Sequence, residues 1–219
     1  MNGLATNTDL LFAPLSALTT VSEYTLIGGS ALSVQINKRK SEDLDFCIWT
    51  KNRKKDKPEV DWPSIDRELS TIGKVTSRNI LGFDHVNFVI NKVRVTFMTK
   101  QNNLSPVKNP VKILNNIRAA DISAIGAMKI EMILRRSEFR DYYDIYSILK
   151  EAWSLKKLVL MASKYSRHLL KTRDVLSFLS NGDNFRKDAR FSLLHPVYDV
   201  DHRDIAAFIR EIIFEEYGS

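Results

Sequence analysis

The fold class this sequence predicts is α/β (α+β), with a mostly α-helical C-terminal domain after it, on three observations. A short apolar run at residues 24–27 meets a Gly-Gly-Ser turn, a helical pattern and then an acidic strand. Two alternating runs, residues 85–90 and 93–98, are separated only by Asn91-Lys92, which is a β-hairpin signal. Past the turn-rich stretch 102–110, every segment has helical spacing. The break is therefore placed near 110–120, with an α/β domain over residues 1–115 and a helical domain over 116–219.

In chain order, residues 8–21 read as a helix whose apolar stripe is interrupted by Pro14. The run 24–27 is a strand and 30–36 has the apolar spacing of a helix, so Gly28-Gly29-Ser30 is a strand-to-helix turn. Such a turn presents backbone N–H groups at a helix N-terminus, where phosphate oxygens bind; a plain tight turn has the same composition. The following strand carries Asp43 and Asp45. Alternation aims both carboxylates at one face and Leu44, Phe46 and Ile48 at the other. Like charges this close need a cation between them or a shared proton, and hard oxygen ligands suit magnesium. Residues 51–58 (KNRKKDKP) form a basic exposed loop, either simply solvated or a clamp on phosphate. Residues 62–72 make a short amphipathic helix with Pro63 in its first turn, and 74–79 a strand before the hairpin.

In the second half, residues 121–136 form a helix that Asp121 can cap and that is apolar nearly all round. Lys129 is its exception. It lies seven residues after Ile122, four after Ile125 and three before Met132, on an apolar stripe. A buried ammonium needs an anion, which a nucleotide phosphate or a carboxylate supplies; snorkelling or a plain salt bridge is the other reading. In the helix over 140–146, Arg140 and Asp144 have the i,i+4 spacing of an internal ion pair. Tyr142, Tyr143 and Tyr146 are core residues or a platform for a base, the core being favoured. Helices at 155–170, 172–179 and 204–217 carry Lys156, Lys157, Lys164, Arg167, Lys171 and Arg173, as a solvated face or an RNA-binding one.

The formal net charge of +7 and pI near 9.4 favour polyanionic partners, RNA or DNA first. With 44% hydrophobic residues the chain can bury a sizeable core. No apolar run approaches the ~20 residues a membrane helix needs, and the N-terminus lacks a signal pattern, so no membrane partner and a cytoplasmic location are expected. A single cysteine, Cys47, excludes an internal disulfide and a cysteine-based zinc site. His85, His168, His195 and His202 lack metal-ligand spacing.

Gly28-Gly29-Ser30, followed by Arg39-Lys40-Ser41-Glu42-Asp43-Leu44-Asp45-Phe46, resembles the first motif of the AbiEii/MenT-type nucleotidyltransferases, a toxin family in the DNA-polymerase-β-like superfamily. Ala127-Met128-Lys129-Ile130, Arg135-Arg136 and Arg140-Asp141-Tyr142-Tyr143-Asp144-Ile145-Tyr146 resemble its later motifs. The resemblance implies a polymerase-β-like domain with a mixed sheet, and a helical domain contributing to the active-site cleft. It implies transfer of an NMP from an NTP substrate to an RNA, tRNA foremost, or to a protein, and a cognate antitoxin as partner. Asp43 and Asp45 would hold one or two Mg²⁺ ions, Gly28, Gly29, Ser30 and Lys129 would bind the nucleotide, and Asp141 would complete the catalytic set. One departure stands against it. Enzymes of this superfamily commonly present a third carboxylate from a strand of the hairpin region, and here that strand has Arg94 and Thr96; Asp84 is the nearest acid. The alternative expectation is thus a catalytically inactive nucleotidyltransferase-fold protein that binds RNA or protein.

Overall fold

The computed structural model describes residues 2–50, 59–101, 105–166 and 170–218; the basic loop expected at 51–58, with Arg167 and His168, lies outside them. The chain forms two compact units, Met1–Asp121 and Ile122–Ser219.

The first unit is built on a mixed seven-stranded sheet. In chain order its elements are α1 (Thr6–Ser16), β1 (Thr25–Ile27), α2 (Gly28–Ile36), β2 (Leu44–Thr50), α3 (Trp62–Ile72), β3 (Val75–Gly82), β4 (His85–Ile90), β5 (Val93–Gln101), β6 (Val111–Leu114) and β7 (Ile117–Ala119). The strand order is β3-β4-β5-β2-β1-β7-β6. β2 runs parallel to β5 and antiparallel to β1, and β1 is parallel to β7.

Alternation along the strands builds the core as the apolar pattern requires. Leu44 and Phe46 on β2, Val86 and Phe88 on β4, and Val95 and Phe97 on β5 are fully buried. Phe97 is their hub: it stacks on Phe46 at 5.2 Å and meets Tyr24 and Phe88 edge-on at 5.1 and 6.2 Å. The β4–β5 connection is the expected two-residue turn, with Asn91 and Lys92 both at positive φ (49° and 68°), as a hairpin turn matching the strand twist demands.

Two local expectations are corrected. The first helix stops at Ser16 and does not reach residue 21. Pro14 has no N–H to give the carbonyl four residues back, and the chain tightens at once, Ala17 N–H donating to Pro14 O (3.2 Å) and Leu18 N–H to Leu15 O (3.1 Å). The stretch after 110 is not helical at first: β6 and β7 add one edge to the sheet, and β7 pairs with β1 through Thr25↔Arg118 and Leu26↔Ala119. Strands of three and four residues are too short for a periodicity to register.

The second unit is helical: α4 (Ile122–Ile133), α5 (Phe139–Lys150), α6 (Leu155–Tyr165), α7 (Thr172–Ser180) and α8 (His202–Tyr217), with short 3₁₀ turns at Gly182–Asn184 and Ala189–Leu194. Helix α6 closes at Tyr165, short of the expected residue 170. Asp201 caps α8, accepting from Arg203 and Asp204 N–H while the Asp204 carboxylate returns to Asp201 N–H, a full capping box. Tyr142, Tyr143 and Tyr146 are buried, which favours the core reading over a platform for a base. Tyr142 stacks on Phe185 at 4.1 Å and its hydroxyl donates to Leu179 O (2.5 Å); Tyr143 packs on Phe191 at 4.9 Å. The lysines and arginine named on α6 and α7 are exposed. No described helix is long and apolar enough to cross a membrane.

Candidate active site

In the first unit the turn between β1 and α2 and the acids of β2 are neighbours by register: Ile27, the N-cap of α2, pairs with Asp45. Gly28 opens the helix at φ +71°, which a side chain rarely adopts, and a Cβ there would stand 3.3 Å from Asp45 Oδ2. The missing side chain leaves the Asp45 carboxylate beside the backbone amides at the α2 N-terminus. Gly29 is required for a different reason: a Cβ on it would lie 2.6 Å from Arg39 Nη2 and 3.3 Å from Ser41 Oγ.

Arg39 and Ser41 therefore buttress the turn. Arg39 is buried and donates to Lys40 O (2.9 Å). Ser30 is buried too; its Oγ lies 2.9 Å from Ser41 Oγ and donates to the Asp43 carbonyl. The Ser30 hydroxyl thus ties the helix start to the entry of β2 and is not turned towards a ligand. The first residues of the chain brace the same point: Ala5 N–H donates to Ser41 O and Ser41 N–H to Gly3 O, both at 2.9 Å.

Asp43 sits just before β2 and Asp45 within it. On the neighbouring β5, Thr96 is directly opposite Asp45, and Arg94, two residues earlier on the same face, forms an ion pair with the Asp43 carboxylate. Thr96 is buried, and opposite it on β4 stands Asn87, whose Oδ1 is buried without a hydrogen-bond partner among the described residues. Asp45, Thr96 and Asn87 thus form a polar row across three strands. Asn87 was missed by the sequence reading, although its place between inward Val86 and Phe88 marks it as facing the acids' side. Asp84 precedes β4, in the turn after β3.

The donor set suits magnesium. That ion takes one or two carboxylates and completes its shell with water and substrate phosphates. Asp45 stands beside the turn held open by Gly28, and with Asp43 at the entry of β2 it would supply such carboxylates. Among the described residues no group of three or more His, Cys, Asp or Glu side chains could hold a metal.

In the second unit, Lys129 on α4 is buried, 6% exposed, between two carboxylates of α5: its Nζ lies 2.6 Å from Asp141 Oδ1 and 2.7 Å from Asp144 Oδ2. Asp141 is fully buried and also accepts from Arg136 Nε at 2.9 Å. Burial by itself pushes the Asp141 carboxyl up, but Lys129 and then Arg136 outweigh it and hold it down at about 2. The expected Arg140–Asp144 pair is not the arrangement found: Arg140 Nε pairs with Glu138 at 2.5 Å while Asp144 goes to Lys129. A buried ammonium offers Asp144 a stronger partner than a half-exposed guanidinium one turn away.

The family model described as "Nucleotidyl transferase AbiEii toxin, Type IV TA system" matches residues 9–216. The uncharacterised protein aq_aa25 of Aquifex aeolicus (strain VF5) is 28% identical over 152 residues, 68% of each chain. Among solved structures, an H. pylori protein assigned to the nucleotidyltransferases superposes with a TM-score of 0.57 at 17% identity, over 94% of this chain and 91% of that one. ANT(2″)-Ia, solved with adenylyl-2″-tobramycin, superposes with a TM-score of 0.50 at 13% identity, over 73% of this chain and 97% of that one. Both likenesses place the chain in the nucleotidyltransferase fold.

Proposed function

Because the chain belongs to the AbiEii nucleotidyltransferase toxin family of type IV toxin–antitoxin systems, we propose that it transfers a nucleoside monophosphate from an NTP to an RNA, tRNA foremost, or to a protein acceptor. A cognate antitoxin restrains it, and the reaction takes place in the cytoplasm, where NTP and tRNA are both present. The observation that carries the reading is the Asp45 carboxylate standing against Gly28 at the N-terminus of α2, with Asp43 at the entry of the same strand.

In this reaction an acceptor hydroxyl oxygen bonds to the α-phosphorus as the bond to the bridging oxygen breaks and pyrophosphate leaves. Asp43 and Asp45 would hold one or two magnesium ions, which would supply charge neutralisation to the phosphates. The amides of Gly28, Gly29 and Ser30 bind phosphate oxygens along the helix dipole. Lys129 and Asp141, expected as nucleotide countercharge and catalytic acid, are assigned a positioning role, since the ammonium is buried between Asp141 and Asp144 and the Asp141 carboxylate is closed to solvent.

The experiment is incubation with each α-labelled NTP, Mg²⁺ and total tRNA or a cell lysate freed of nucleotides. Label in tRNA or in a protein band supports the proposal. A second reading has its own observation, Thr96 opposite Asp45 where an acid is expected. In that reading the protein binds RNA or a protein without turnover, and RNA binding with no labelled acceptor decides for it.

A further inference from the structure

Arg94 is a built part of the acid site that the family motifs do not name. Its Cα is fixed in β5 between Val93 and Val95, both in the core. Its side chain is 51% exposed, and it pairs with an Asp43 carboxylate that is itself 28% exposed. A guanidinium carries five N–H donors on a flexible stem, and an ion pair open to solvent on both sides is weak. Asp43 and Arg94 stand at the same level of adjacent parallel strands, one step from the Asp45–Thr96 pair. A divalent cation bound by both acids has to share Asp43 with this guanidinium or displace it. A triphosphate arriving with that cation brings anionic oxygens within the reach of a side chain based on β5, and guanidinium binds phosphate as readily as carboxylate.

We propose that Arg94 is a resident counter-ion that holds Asp43 before substrate arrives and passes to a phosphate oxygen of the nucleotide when Asp43 turns to the metal. The arrangement makes metal binding depend on nucleotide: the cation alone competes with Arg94 for Asp43, whereas the metal–nucleotide pair gives Arg94 a new partner as it takes the old one. The inference rests on the nucleotidyl-transfer reading for the identity of the incoming phosphate, and on the Asp43–Arg94 pair alone for the competition.

Opposite signs make the test. Mn²⁺ binding without nucleotide is measured by electron paramagnetic resonance, and NTP binding in Mg²⁺ by isothermal titration, for wild type, Arg94→Met and Arg94→Lys. Arg94→Met keeps the stem and removes the charge; it is expected to bind Mn²⁺ alone more tightly, by up to about fivefold, the worth of a solvent-open ion pair, and NTP–Mg²⁺ more weakly, by about tenfold, the worth of one charge-assisted hydrogen bond. Arg94→Lys falls between them. The proposal is overturned if Arg94→Met binds free Mn²⁺ no better than wild type, or if NTP affinity is unchanged. A general loss of folding would weaken both and is seen in the melting curve, so it cannot imitate the pattern. If wild type labels no acceptor, the reaction proposed above fails, and the Mn²⁺ comparison still decides whether Arg94 guards Asp43.

Discussion

Lys129→Met leaves two buried carboxylates, Asp141 and Asp144, without the ammonium that lies within 2.7 Å of each. Removing one partner of a buried ion pair costs about 3–5 kcal/mol, because the remaining charge stays desolvated. The Asp141 carboxyl gives a separate measure. It is lowered from 3.8 to about 2 by Lys129 and Arg136 against the opposing effect of burial, and at ~1.36 kcal/mol per pKa unit this is roughly 2 kcal/mol of stability. For a helical unit of this size each kcal/mol moves Tm by about 4–8 °C, so the variant should melt more than about 10 °C below wild type at pH 7. Acid changes the gap in a determined direction. In wild type the lowered Asp141 contributes stability that is fully present above the unfolded pKa near 4 and is lost as pH falls towards 2. In Lys129→Met, burial acts with less opposition, the carboxyl rises, and protonation relieves the variant. The two Tm values should therefore converge as pH falls from about 4 towards 2, and adding Asp141→Asn and Asp144→Asn to the variant should recover stability at pH 7. Thermal melting followed by circular dichroism reads all of this. A variant that melts within about 2 °C of wild type at pH 7, or a gap that does not change with pH, refutes the buried network.

Gly28→Ala should cost roughly 1–2 kcal/mol from the left-handed backbone and crowd Asp45 at 3.3 Å, and titration with NTP–Mg²⁺ should show weaker binding than the melting shift accounts for. Tyr142→Phe removes the donor to the Leu179 carbonyl and should lower stability by about 1–2 kcal/mol in urea unfolding with an unchanged m-value. Cys47 is fully buried, and burial, only partly opposed by Lys100, raises its thiol to about 12; it should resist iodoacetamide at pH 8 until the protein is unfolded.

Local signals were strong enough to be read where chemistry and geometry coincide. Asn91-Lys92 marked the hairpin because a two-residue connection between alternating runs admits few backbone shapes. Lys129 stood out because an ammonium on an apolar stripe must have an anion, and the structure supplies two carboxylates from α5. The partners themselves were not legible. Asp144 was read with Arg140 on its own helix because i,i+4 spacing is visible in a sequence, whereas the pairing of α5 with α4 is a tertiary fact. The Arg94–Asp43 pair depends on the parallel register of β2 and β5, which brings together residues separated by |i−j| = 51. The strands β6 and β7 were missed because three or four residues cannot express a period, and the hydroxyl of Ser30 turned inward to Ser41 and the Asp43 carbonyl, a fold of the loop that a motif does not record.

Nucleotidyl transfer is assigned to Asp43 and Asp45, at the entry of β2 and within it. The most direct measurement is the rate of label transfer from an α-labelled NTP to its acceptor for wild type and Asp45→Asn, with melting curves to show that both are folded. Wild type is expected to transfer label and the variant to lose about a thousandfold or more at nearly unchanged Tm, the scale expected when the charge that organises phosphoryl transfer is removed. Equal rates in the two proteins would contradict it.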